Sequence, residues 1–211
     1  MYEFSLTTDL PFHQVYPLHQ RVMAVMCGNQ HRADKTHLRP LWRSYPYPQG
    51  EKEGSILLIR STQKPLAALS NSSAANTKAA NSKEIIGPIE TSTFTLTEGE
   101  QRTFHCRLDL TKRVSEPGEN RSSRKAIEYA LPEAETEAWL TRLLHRHGFE
   151  LQQLDLVEPL RVRLNRRHLI NGADVVFQAK VHNATAAQQA YNQGLGRKKA
   201  FGFGLLLEAV R

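Results

Sequence analysis

The run GLGRKKAFGFGLL, residues 194–206, places four glycines around three consecutive cations. Glycine lets a backbone adopt φ > 0 and come close to a ligand, while Arg and Lys attract phosphate. The chemistry on offer is therefore phosphate binding. A nucleotide loop fits poorly, because a P-loop needs G-x-x-x-x-G-K-[ST] after a strand and the chain has none. The dinucleotide fingerprint needs a third small residue where Lys199 stands, with a strand before the glycines and a helix after them. Here the order is reversed. ATAAQQAYNQ, residues 184–193, reads as a short helix with Asn183 near its N-cap and Gly194 just past its end. FGFGLLLEAV, residues 201–210, then reads as a strand. Alone, the run reads equally well as a helix C-cap followed by a solvated basic loop.

The rest of the chain carries the same charge. Lys and Arg number 28 against 21 Asp and Glu, a formal charge of +7 over 211 residues. Such an excess favours a polyanionic partner, nucleic acid before membrane, since no basic amphipathic helix is evident. The cations cluster in the C-terminal half, at residues 107–125, 161–168 and 196–199, and three clusters in one half predict a shared basic face. The two cysteines, Cys27 and Cys106, form no C-x-x-C pair, and the nine histidines supply no H-E-x-x-H. Neither a metal site nor a cofactor is expected. The opening MYEFSLTTDL lacks the basic and long apolar regions of a signal peptide. No apolar run approaches the roughly 20 residues that span a bilayer. A soluble, cytoplasmic protein is expected.

These residues need elements to hold them. Tyr2, Phe4 and Leu6 alternate as in a strand, and Val15, Leu18, Val22 and Val25 recur at helical spacing from Phe12 to about Cys27, stopping at Gly28. A polar loop containing Trp42 and three prolines follows, then the apolar strand SILLIRS. Residues 70–83 are low in complexity and read as a mobile loop. Residues 84–97 and 101–110 read as strands parted by a turn at Glu98-Gly99. Beyond them come a charged loop, a helix over 132–147, strands over 151–158 and 175–182, and the closing helix and strand. The order β-α-β-β-α-β is the ferredoxin-like unit, and the first half begins in the same way. The predicted fold is α+β, two tandem ferredoxin-like (RRM-like) domains, at residues 1–100 and 101–211.

A basic, two-part ferredoxin-like chain that closes with a glycine-rich loop resembles the repeat-associated RNA-binding superfamily of CRISPR systems. More narrowly, it resembles the CasE family, the endoribonucleases that cut CRISPR repeat RNA in type I-E systems. MYEFSLTTD with YPLHQRVM is similar to the family's first strand and its histidine-bearing helix. EAETEAWLTRLL is similar to its second-half helix, and GLGRKKAFGFGLL to its terminal loop. The chain departs from the family where an Asn-Pro-Thr run often follows the central strand, reading Asp109-Leu110-Thr111 instead.

The resemblance implies a metal-independent cut in which a ribose 2′-hydroxyl attacks the adjacent phosphate. The products are a 2′,3′-cyclic phosphate (or its 3′-phosphate) and a 5′-hydroxyl. It makes His19 the catalytic histidine, a residue whose ordinary pKa near neutrality suits proton transfer. Taken by itself, His19 reads as a boundary histidine beside the buried stripe. Tyr16 lies at i−3, on the same side of the helix, and Arg21 is the candidate for neutralising developing charge. His13 is a further candidate at the helix start. The RNA would be a CRISPR repeat hairpin, held through backbone and shape, because A-form RNA hides its bases in a deep groove. Lys112, Arg113, Arg121, Arg124 and Lys125 would grip the stem. Gly194, Gly196, Arg197, Lys198 and Lys199 would hold phosphates near the cut, with Arg161, Arg163, Arg166 and Arg167 as additional contacts. Phe201 and Phe203 read as core residues of the last strand. Other subunits of a CRISPR effector complex are the implied protein partners. Two alternatives of other classes stand beside this reading. One is a non-catalytic module that anchors a guide RNA. The other is an RRM-type binder, disfavoured because VVFQAKVH carries one aromatic where RNP1 needs several.

Overall fold

Alternation in YEFSLTT buries Phe4, Leu6 and Thr8 along β1 (Tyr2–Thr8) and makes it the natural centre of a sheet. The structure, a computed structural model, describes residues 1–28, 38–47, 54–66, 85–115, 126–165 and 168–209. β1 pairs antiparallel along its full length with β3 (Ser55–Ser61), which in turn pairs with β2 (Leu41–Pro46). On its other side β1 meets two short strands, β4 (Ile85–Ile86) and β5 (Glu90–Thr91). Gly87 and Pro88 break the strand expected over 84–97 into this pair, since proline has no N–H for the ladder. Residues 92–97 are not strand. Phe94 and Leu96 pack onto the second core, and Gln188 clamps them by accepting from the Leu96 N–H and donating to the Phe94 carbonyl.

The second half builds its sheet from β6 (Gln101–Asp109), β9 (Phe149–Arg163), β10 (Leu169–Val181) and β11 (Leu206–Glu208), in the order β11-β6-β10-β9. Helices α2 (Glu133–Arg146) and α3 (Ala184–Gln193) cover it. The first sheet runs β2-β3-β1-β4 around α1 (Val15–Cys27), so both halves repeat the ferredoxin-like strand order. The segment between β3 and β4, including the low-complexity residues 70–83, lies mostly outside the described residues.

Three departures from the sequence reading have plain causes. β9 and β10 are longer than expected, and Pro159, which interrupts the strand pattern in the sequence, falls on the edge strand β9, where proline is tolerated. β2 was expected to be loop. Its first four residues, Leu41 to Ser44, are all buried, which erases the alternation that marks a half-exposed strand. The charged loop after β6 opens as a hairpin, β7 (Thr111–Ser115) against β8 (Ala126–Ala130).

The extra length of β9 and β10 matters for packing. Val162 and Ile170, still paired with each other in the second sheet, join Phe203 in the core beneath α1, together with Leu18, Val22 and Trp42. Pro17 stands in the first turn of α1, where its absent N–H would have had no helical partner. The Arg163 N–H donates to the His13 carbonyl at 2.9 Å, so β9 also ties down the approach to α1.

Candidate active site

His19 follows the buried Leu18 on α1 and shares a helix face with Met23 at i+4. Both line a cavity of about 640 Å³ whose other walls include Arg39, Leu41, Asn192 and Lys199. The His19 ring stands edge-on to Phe201, centroids 5.7 Å apart. Its Nδ1 is buried and finds no hydrogen-bond partner among the described residues. The Ala200 carbonyl nearby is instead held by Trp42 Nε1 at 3.1 Å. Burial lowers the His19 pKa below its ordinary value, with the Ala200 carbonyl pulling weakly the other way. The imidazole is therefore mostly neutral near pH 7, the state a proton acceptor needs.

The wall opposite His19 is the glycine-rich run, and it is not the long strand expected. Residues 199–201 form a single 3₁₀ turn, and strand resumes only at Leu206. Two glycines dictate this shape. Gly202 (φ +84°) lies flat against the Trp42 ring, where a Cβ would stand 2.9 Å from Cζ3. Gly204 (φ +81°) would place a Cβ 2.2 Å from the Leu195 carbonyl oxygen. The glycines fold the loop onto the protein itself, and Trp42 pins the turn that offers Lys199 and Phe201 to His19.

The three cations of the run diverge. Arg197 reaches Asp109 at 3.1 Å and Glu128 at 3.6 Å, and its Nη2 donates to the Thr111 carbonyl at 2.8 Å and to the Thr111 hydroxyl. Lys198 reaches Glu128 at 2.9 Å and Asp109 at 3.7 Å, from a left-handed backbone at φ +59°. The Asp109 side chain is fully buried. Burial raises its pKa more than Thr111 and the two cations lower it. These two residues therefore latch the glycine-rich loop to the base of the β7–β8 hairpin. Lys199 alone turns to the cavity. Burial and the neighbouring positive charge of Arg39 both lower its pKa.

Residues 5–209 match the protein family described as CRISPR associated protein. The chain belongs to that family. Among solved structures, this CRISPR-associated protein is similar to Thermus thermophilus Cse3 bound to an RNA representing a pre-cleavage complex. That match has 19% identity over 100% of both chains and a TM-score of 0.72. It is similar to Cas6e from Escherichia coli K-12 at 21% identity over 99% of both chains, TM-score 0.70. It is also similar to a chain of a CRISPR RNA-guided surveillance complex, at 17% identity over 100% of both chains and a TM-score of 0.60. At these identities the likeness establishes the shared fold. No curated protein sequence matches the chain.

The remaining candidate residues scatter across this family member. Tyr16 is 46% exposed one turn before His19, and neither it nor Arg21 lines the cavity. His13 is exposed at the entry to α1, its ring against Phe12. Gly194 packs on Leu41, and Gly196 has only Leu108 near its Cα, at 3.8 Å from a built Cβ. Lys112 pairs with Glu135 of α2. Arg113 lies on β7 opposite Glu128 in register. Arg161 and Arg163 are exposed on β9. Arg121, Arg124, Lys125, Arg166 and Arg167 lie outside the described residues. No helix among the described residues is long and apolar enough to cross a membrane.

Two features escaped the sequence reading. One is Arg39, which enters the cavity immediately before β2. The other is a buried ionic cluster joining the two sheets. Asp174 of β10 takes Arg107 at 2.8 and 3.0 Å and Arg43 at 3.0 Å, while Arg43 also meets His105 Nε2 at 2.7 Å. Burial of Asp174 is overcome by these arginines, and its pKa falls. Burial, with Arg43 adding, lowers His105 as well. The available signal for both was Trp42. A tryptophan assigned to a polar loop is out of place, since so large a ring is ordinarily buried.

Proposed function

We propose that this protein is a metal-independent endoribonuclease of CRISPR repeat processing. It binds the repeat hairpin in precursor RNA and cuts on the 3′ side of the stem. The observation that carries this reading is a half-buried histidine, His19, that lines one cavity with two cations, Arg39 and Lys199, and with no carboxylate among the described lining residues. In the reaction His19 accepts the 2′-hydroxyl proton as the 2′-oxygen bonds to phosphorus. The bond from phosphorus to the 5′-oxygen breaks, and that oxygen takes up a proton. A 2′,3′-cyclic phosphate and a 5′-hydroxyl result. Tyr16, on the same side of the helix, orients the nucleotide before the cut.

The first half, residues 1–100, supplies His19 and Arg39, and the second half, residues 101–211, supplies the grip on the hairpin RNA together with Lys199. Similarity to Cse3 bound to an RNA representing a pre-cleavage complex, and to a chain of a surveillance complex, supports an RNA substrate and a place in an effector complex.

The test is a repeat hairpin incubated with the protein in excess EDTA. One discrete cut is expected, giving a cyclic phosphate end, and a single 2′-deoxy nucleotide upstream of the scissile phosphate abolishes it. Tight hairpin binding without any cut would instead identify a guide-anchoring module of the same fold.

A further inference from the structure

We infer that Arg39 and Lys199 form the seat of the scissile phosphate, and that Arg39 is the catalytic residue that carries its charge in the transition state. The inference rests on the function proposed above and deepens it, because nothing in the sequence motifs assigned Arg39 any role.

Three observations support it. Among the described residues, the ionisable groups lining the cavity are His19, Arg39 and Lys199, and none of these is acidic. Arg39 is exposed and has no carboxylate partner among the described residues, unlike Arg197 and Lys198 a few residues from Lys199. Arg39 and Lys199 are also close enough to repel each other, a cost that an anion between them removes.

The backbone holds this arrangement in place. Arg39 precedes Pro40, which biases it toward an extended conformation, and Pro40 and Leu41 are buried at the start of β2. Lys199 begins the 3₁₀ turn that Trp42 fastens through the Ala200 carbonyl. These two anchors thus hold two cations on the wall of the cavity that His19 lines. Charge on the non-bridging oxygens grows as the 2′-oxygen adds to phosphorus. The planar guanidinium fork matches two of those oxygens, while the ammonium acts as a point charge.

The test uses two repeat hairpins that end at the cut position, one with a 3′-phosphate and one with a 3′-hydroxyl, so no cleavage is needed. The intact wild-type chain is expected to bind the phosphate form roughly 10- to 100-fold more tightly, the range of one charge-assisted contact. Arg39→Gln should bring that ratio close to one, and Arg39→Lys should restore part of it. With an uncut substrate, Arg39→Gln should also slow single-turnover cleavage by about 10²-fold. Equal wild-type binding of the two hairpins, or an unchanged ratio in Arg39→Gln, overturns the phosphate seat and leaves the proposed function standing. Failure of both hairpins to bind overturns the proposed function, and this inference with it.

Discussion

Arg197 and Lys198 sit at the base of a hairpin with two carboxylates between them, whereas Lys199, the next residue, shares a cavity with Arg39 and with no carboxylate among the described lining residues. In sequence the three are one basic run. In the fold they belong to two regions with opposite electrostatics. The hairpin base is a compensated cluster, its cations spent on a buried aspartate. The His19 cavity is an uncompensated one, in which like charges are held together by backbone constraint. Among the described residues, the second arrangement is the one short of an anion. A count of positive residues therefore overstates the surface available for phosphate, and the location of the carboxylates decides which cations remain free to bind.

The largest expected effect tests the uncompensated region. His19→Ala should lower single-turnover cleavage by about 10²–10⁴-fold, the usual range for a lost proton acceptor, with hairpin affinity unchanged. An equal loss of affinity would merge the two regions into a single binding surface. Next comes the residue that anchors the turn carrying Lys199. Trp42→Ala should destabilise the fold by about 3–5 kcal/mol in urea titrations, as for other buried tryptophans. It should also slow cleavage, because the turn carrying Lys199 loses its anchor.

A smaller effect tests the compensated region. Arg197→Ala should cost about 1 kcal/mol, discounted because the guanidinium is partly exposed. Adding Asp109→Asn should return much of that stability by removing the charge left buried. If Arg197→Ala keeps full stability and loses RNA affinity instead, the residue grips phosphate and the contrast between the regions collapses.

The smallest effect is on acid stability. Burial depresses the pKa of His19, His105 and His147 below 6.5, so in the native state these groups resist protonation. Below pH 6.5 the unfolded chain binds more protons than the folded one, and stability falls as pH falls through the folded values. Urea midpoints measured between about pH 7.5 and pH 5 should decline, and His105→Gln should flatten the decline.

Much of this was legible from residues alone. The α3 helix and the β3 strand appear with the bounds their sequences predicted, because each has an unambiguous period and clear stops at Asn183, Gly194 and Gly54. His19 was singled out only through family resemblance, since a histidine beside an apolar stripe has no local signature of reactivity. Arg39 was invisible for a different reason. Its significance depends on Lys199, 160 positions away, and on the strand β2 whose burial on both faces hid it. The partners of Arg197 and Lys198 were hidden in the same way. Asp109 and Glu128 meet the loop only after the chain has turned through a hairpin. The substitution of Asp109-Leu110-Thr111 for the family's usual run proves to be where Asp109 and Thr111 receive Arg197.

The sharing of β9 and β10 between the two cores has a consequence for how the molecule is made. Val162, Ile170 and Phe203 complete the packing beneath α1, yet α1 leaves the ribosome long before them. The first half therefore waits, with Leu18, Val22 and Trp42 lacking part of their native cover, until synthesis has passed residue 203 and the glycine-rich turn can close over His19. In a nascent chain the His19 cavity is incomplete before that moment. The order of translation itself delays the site, so the first helix synthesised is among the last to find its full set of neighbours.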